Sequence, residues 1–153
     1  MRKLWFISLT CCLLIAADDP DTAVPAKSDL DLMQGLWTRV STESRGNKRL
    51  EKEPRLLLRV TGNEFTFGFN RSGRPSDPEL VALDPKRTLK AIDLTPTAGP
   101  PKGKPYFGIY KIEGDTLTFC LCIEPDSKRP TKFATEDNQW LLDVYERPKA
   151  SAP

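Results

Sequence analysis

The sequence predicts an all-β domain: a closed, antiparallel, up-and-down β-barrel of about eight strands behind one short N-terminal helix. Three observations carry this. Fourteen prolines in 153 residues argue against long helices, because each removes a backbone donor and fixes φ. Two stretches, 55–70 and 108–122, alternate apolar and polar residues about Gly62-Asn63 and Gly114-Asp115, the chemistry of two-residue hairpin turns. The remaining strands are short and sequential, with no long crossovers, and closing such a sheet removes the exposed edges that invite association.

The elements follow in order. Ser28 can cap a short helix over 29–33, where Asp29 and Asp31 sit in the first turn and complement the helix dipole, and Gly35 ends it. A first strand is expected at 36–42, and the charged stretch 43–53 reads as a loop. In the first hairpin the turn sets Val60 opposite Phe65, Leu58 opposite Phe67 and Leu56 opposite Phe69, all on one apolar face. The other face carries Arg59 with Thr66, Leu57 with Gly68 and Arg55 with Asn70.

Strands are expected at 79–84 and 88–94, followed by a stiff Pro/Gly loop over 95–105. In the second hairpin Ile112 faces Leu117, Tyr110 faces Phe119, and Gly108 makes room beside Leu121. Its opposite face begins polar, Lys111 with Thr118, and turns apolar away from the turn, Ile109 with Cys120 and Phe107 with Cys122. Something should cover that end: the N-terminal helix or a protein partner at the Phe107/Cys122 face. A short strand at 131–135 and a longer one at 139–147 close the domain.

The N-terminus reads as an export signal. Met1-Arg2-Lys3 is basic, residues 4–17 are apolar but short for a bilayer span, and Ala16-Ala17 precedes Asp18-Asp19-Pro20. We therefore expect a signal peptide at 1–17, a flexible acidic leader at 18–27, the barrel domain at 28–148 and a disordered tail at 149–153. The location expected is secreted or periplasmic, with no membrane span after processing. Lipid anchoring at Cys11 or Cys12 is the weaker alternative, because the residue before either acceptor is not the small one a lipobox needs.

Processing changes two totals. The formal charge of +2 belongs to Arg2 and Lys3, and their removal leaves 21 basic against 21 acidic residues. Charge therefore gives no argument for nucleic acid, and the basic residues lie scattered in loops without interleaved aromatics. The four cysteines fall to Cys120 and Cys122. No histidine is present, which removes the commonest neutral-pH general base and metal ligand. We expect no enzyme, no cofactor and no metal site; catalysis would need a polar cluster, around Asp93 for instance, that the linear sequence does not display.

Two segments resemble known proteins. The Gly35-x-Trp37 signature after a short helix, at the start of strand one, is similar to that of lipocalin-like proteins. The stretches "LDPKRTLKAIDLTP" and "GKPYFGIYKIEGDTLTFC", within a match over about 29–147, resemble an uncharacterised small secreted lipocalin-like domain family expanded in planctomycete bacteria. The resemblance implies a lipocalin-like barrel with no assigned activity. It also implies that Trp37 closes the barrel floor beneath a basic residue of the last strand, for which Arg147 is the candidate, as a cation–π lid.

Cys120 and Cys122 share a strand face at the far edge of disulfide geometry and read as small hydrophobes. Asp93 reads as a structural acid accepting backbone donors from the loop after it. The ligand candidates are the residues expected inside the barrel: Trp37, Leu58, Phe65, Phe67, Phe69, Tyr110, Phe119 and Trp140. The function expected is an exported binding module holding a small apolar or amphiphilic ligand in the barrel, and an electropositive mouth would suit an anionic amphiphile. The alternative is a structural or protein-interaction domain whose barrel is filled by side chains, since eight strands suit either outcome.

Overall fold

A computed structural model describes residues 26–51, 57–68, 75–135 and 138–149. The signal at 1–17, positions 18–25 of the leader, 150–153 of the tail, and the Leu56–Phe69 and Arg55–Asn70 pairs lie outside the described residues. The described chain forms one short helix, α1 (Asp29–Met33), and nine strands: β1 (Gly35–Ser44), β2 (Asn47–Leu50), β3 (Leu57–Thr61), β4 (Glu64–Phe67), β5 (Glu79–Asp84), β6 (Ala91–Pro96), β7 (Tyr106–Glu113), β8 (Thr116–Cys122) and β9 (Trp140–Glu146).

Each strand from β3 to β9 pairs antiparallel with the next, and β9 pairs with β1, which pairs with β3. Eight strands therefore close an antiparallel barrel. The ninth, β2, lies on the same edge of β1 as β3 but at the other end: Ser41 faces Leu50 and Ser44 faces Asn47, while Gly35 faces Val60 and Thr38 faces Leu57. The stretch 43–53, expected to be a loop, thus continues β1 to Ser44, turns, and returns as β2. Arg45 and Gly46 have φ of 53° and 70°, the left-handed pair that a tight hairpin turn requires. All four β2 residues are exposed, so no apolar alternation marks them.

Both predicted hairpin registers are present. Leu58 faces Phe67 and Val60 faces Phe65; Ile112 faces Leu117, Tyr110 faces Phe119 and Gly108 faces Leu121. Gly62 and Gly114 each have φ of 59°, where a side chain would be strained. Gly108 is required by packing: a methyl group there would run into the Leu121 and Ile92 side chains and the Cys120 carbonyl. Two further elements differ from expectation. The strand expected at 88–94 begins at Ala91, after a turn, and 131–135 is not a strand.

The helix closes one end of the barrel. Ser28 caps α1 in a reciprocal box with Asp31. Met33 is fully buried, and Trp37 Nε1 donates to its carbonyl at 2.7 Å. The Gln34 side chain bonds both the N–H and the carbonyl of Gly62, each at 2.9 Å, tying the helix end to the β3–β4 turn. Tyr110 Oη donates to Asp29 at 2.6 Å and Lys90 pairs with the same carboxylate at 2.8 Å. Burial works against the Asp29 charge, but the Lys90 and Tyr110 hydrogen bonds prevail and hold its carboxyl below the ordinary value.

Two apolar clusters result. The inner one fills the helix end and middle of the barrel with Met33, Trp37, Leu58, Val60, Phe65, Ile92, Tyr110, Phe119 and Tyr145, among others. Phe119 stands at its centre, its ring centroid 5.7 Å from Phe65 and 5.8 Å from Tyr145. The outer cluster joins Ile109, Cys120, Cys122 and Trp140, with Phe107, Phe133 and Leu142 against it. The connection between β8 and β9 supplies Phe133 and covers this face.

Thr135 fastens that connection to Glu43 and Gly46, and Arg129 fastens it to β6 and β7. The Arg129 guanidinium donates to the Ile92 carbonyl at 2.9 Å, to the Gly108 carbonyl and to Asp93, and lies 5.0 Å from the Phe107 ring centroid. The Phe107/Cys122 face, where a protein partner was expected, is therefore occupied by the chain itself. Asp93 accepts from Arg129 rather than from the backbone of the loop that follows it.

Candidate functional site

The inner cluster does not extend through the whole barrel. At the end opposite α1 a cavity of about 350 Å³ is lined by Phe67, Leu94, Leu121, Ile123 and Leu141 on its apolar side, and by Arg39, Glu79, Tyr106, Asp143 and Tyr145 on its polar side. Cys122 reaches its rim. This volume lies within the range of small-ligand pockets, near its lower end.

Barrel closure assembles the polar side. Arg39 follows Trp37 by two positions on β1 and so shares its inward face. The β1–β9 register then slips between Arg39 and Ser41. This bulge leaves Arg39 opposite Tyr145 on the inside and sets Ser41 opposite Val144 on the other face. Asp143 and Tyr145 occupy successive inward positions of β9. Glu79 faces Phe65 across the β4–β5 ladder and Pro96 across the β5–β6 ladder, which places it inward at the start of β5.

Arg39 holds this group together. Its Nη2 donates to Glu51 at 2.8 Å and its Nη1 lies 3.4 Å from Asp143 Oδ2. Tyr145 Oη lies 3.4 Å from the same oxygen. Burial, then the Asp143 charge, hold the Tyr145 hydroxyl well above its usual value and keep it a donor. Two atoms of the group are buried without any hydrogen-bond partner among the described residues, Arg39 Nε and Asp143 Oδ1. Buried polar atoms left unpaired are rare in folded proteins and costly.

Glu79 is set apart. No described residue gives it a hydrogen bond or an ion pair. Burial raises its carboxyl above the ordinary glutamate value. The Tyr106 hydroxyl is raised too, first by burial and then by the nearby Glu79 and Cys122.

The residues expected inside the barrel divide four ways. Trp37, Leu58, Phe65, Tyr110 and Phe119 are inside but fully packed at the helix end and middle, where they leave no room for a ligand. Phe67 lines the cavity. Trp140 is not interior: it faces Cys122 across the β8–β9 ladder and belongs to the outer cluster. Phe69 lies outside the described residues. Arg147 and Trp37 do meet, with the guanidinium carbon 4.1 Å from the ring centroid, and Arg147 also donates to the Gln34 carbonyl at 3.1 Å and the Leu32 carbonyl at 2.7 Å.

The described residues lining the cavity do not make its mouth electropositive, and Asp93 is paired with Arg129. The described residues lining the cavity bring one cation, Arg39, against two carboxylates, Glu79 and Asp143. The polar group that does converge lies inside the barrel and was not anticipated. The signal for it was available: Arg39, Glu79 and Asp143 each fall in phase with inward apolar neighbours, at Trp37, Val81 and Tyr145.

Among the described residues no helix is long and apolar enough to cross a membrane, and no cluster of three metal-ligating side chains is present. Compared with family models, curated proteins and solved structures, the chain finds no match.

Proposed function

We propose that this protein is an exported binding module that takes one small amphiphilic molecule into the barrel at the end opposite α1. The observation that carries this is the open pocket at the end of the barrel opposite α1. Aromatic and aliphatic side chains pack the helix end completely, yet about 350 Å³ stays open at the other end, with an apolar and a polar side. A barrel needing only a core has no use for Arg39, Glu79 and Asp143 at inward positions, because burying charges is expensive and apolar residues of similar size would pack at least as well.

Its features fit the general form of a ligand site: a concave, mostly apolar volume with a few convergent polar groups and a perturbed carboxyl. The fully packed helix end, closed by Trp37 and Arg147, makes a rigid base for it. The apolar leader at 1–17 supports export.

Native mass spectrometry of the mature protein purified from its own host tests this reading. The expected result is a one-to-one small-molecule adduct, absent from a Leu141→Trp variant whose larger side chain fills the cavity. A protein that is empty from its host, and that takes up no alkyl or fluorescent apolar probe, refutes it.

A further inference from the structure

We propose that the molecule taken up is cationic at its polar end: a primary ammonium on a short alkyl chain, with Glu79 as the counter-charge. The inference rests on the binding reading above and deepens it. It stands on how the charges inside the barrel are already spent.

Arg39 is the one cation among the described cavity-lining residues, and both of its terminal nitrogens are engaged, one by Glu51 and one by Asp143. A single guanidinium between two carboxylates offers no net positive potential to an incoming anion. Its free Nε remains a donor, within an ion group whose formal balance is already negative. Asp143 is a further anionic surface: its side chain is only 9% exposed, and Oδ1 is without a partner.

Glu79 has no such partner among the described residues. Its carboxyl stands at an inward position of the barrel mouth, among Phe67, Leu94, Tyr106 and Tyr145, without hydrogen bond or ion pair among the described residues. An unpaired carboxylate in partly desolvated surroundings is unfavourable on its own and favourable once a cation shares its site. An ammonium group supplies that charge together with three donors, enough to engage Glu79 and a neighbouring hydroxyl such as that of Tyr106. The faces of Tyr106, Tyr145 and Phe67 also favour a cation over an anion. The alkyl chain then lies against Leu94, Leu121 and Leu141, which offer no polar group to an uncharged remainder.

Three probes of equal chain length separate the head groups: n-octylamine, n-octanol and octanoate, each titrated calorimetrically into the full mature protein at neutral pH. The amine is expected to bind at least about tenfold more tightly than octanoate. In Glu79→Gln the amine should lose about tenfold in affinity while octanol stays within about twofold. Because Glu79 makes no hydrogen bond or ion pair among the described residues, this isosteric variant is expected to fold, and unchanged octanol binding verifies that the cavity is intact. Octanoate binding as tightly as the amine, or an unchanged amine preference in Glu79→Gln, overturns the assignment while leaving a binding barrel. Binding of none of the three overturns the binding reading as well.

Discussion

Arg39 and Asp143, 104 residues apart in sequence, approach to 3.4 Å inside the barrel, and each keeps one buried atom unpartnered, Nε and Oδ1. Such a pair is a poor source of stability, since desolvation offsets most of the attraction. Arg39→Met should cost about 2–4 kcal/mol, chiefly by leaving Asp143 buried without a cation. Adding Asp143→Leu should recover at least roughly half of that loss while weakening probe binding. Urea unfolding alongside probe titration separates the two effects. Full binding by the double variant would remove this pair from the site.

Arg147 fastens the closed end through the Trp37 ring and two carbonyls at the end of α1. Arg147→Ala should cost about 1–3 kcal/mol in urea unfolding, from one cation–π contact and two charge-assisted hydrogen bonds. Arg147→Lys should restore only part of this, because an ammonium cannot lie flat on the indole while reaching both carbonyls. The Trp37 contribution to fluorescence should shift in both variants.

Glu79 should make the protein less stable as pH rises. Its folded pKa lies above the unfolded value because of burial, so between the two the folded state holds the extra proton and stability falls with increasing pH. The titratable and charged groups that line the cavity with it are Tyr106, Tyr145, Cys122, Arg39 and Asp143, of which Tyr106 and Tyr145 register its charge as a further raising influence. Glu79→Gln should therefore raise the melting temperature at neutral pH and change it little near about pH 3.5, where both forms are neutral. Equal effects at the two values would show that burial of the charge is not the cause.

Cys120 and Cys122 should remain thiols even in an oxidising compartment. Both are buried, on a strand face packed by Ile109, Phe107 and Trp140. Burial pushes the Cys120 thiol up to about 11, with Glu43 adding to the rise. At about pH 8 that leaves roughly 0.1% thiolate. The folded mature protein should give almost no reaction at Cys120 with a thiol reagent, and two thiols should titrate in denaturant. A protein two mass units lighter, with no thiols in denaturant, would reveal a bridge.

Much of the barrel was legible because two glycine turns fixed register. Gly62 and Gly114 each set an alternation that a slip of one residue would invert, so Val60–Phe65 and Tyr110–Phe119 could be paired from sequence. Where alternation was weak, reading failed. The β2 residues are all exposed and carry no pattern, although Gly46 marked the turn before them. Phe133 looked like part of a strand, but it serves as a cover on the outer cluster. Trp140 was grouped with the interior aromatics, yet it is one position out of phase with the inward residues Leu141, Asp143 and Tyr145. The polar side of the cavity was hidden for another reason. Arg39, Glu79 and Asp143 come from β1, β5 and β9, and only closure of the sheet brings them to one cavity.

The most direct measurement is amide-resolved NMR of the mature protein titrated in turn with n-octylamine, n-octanol and octanoate. At least one probe should saturate at one equivalent and perturb the amides around Leu94, Tyr106, Leu121 and Leu141, while those of α1 and the Gly62 and Gly114 turns stay still. No saturable change with any probe, or changes confined to the outer face around Phe107 and Trp140, would contradict a binding site within the barrel.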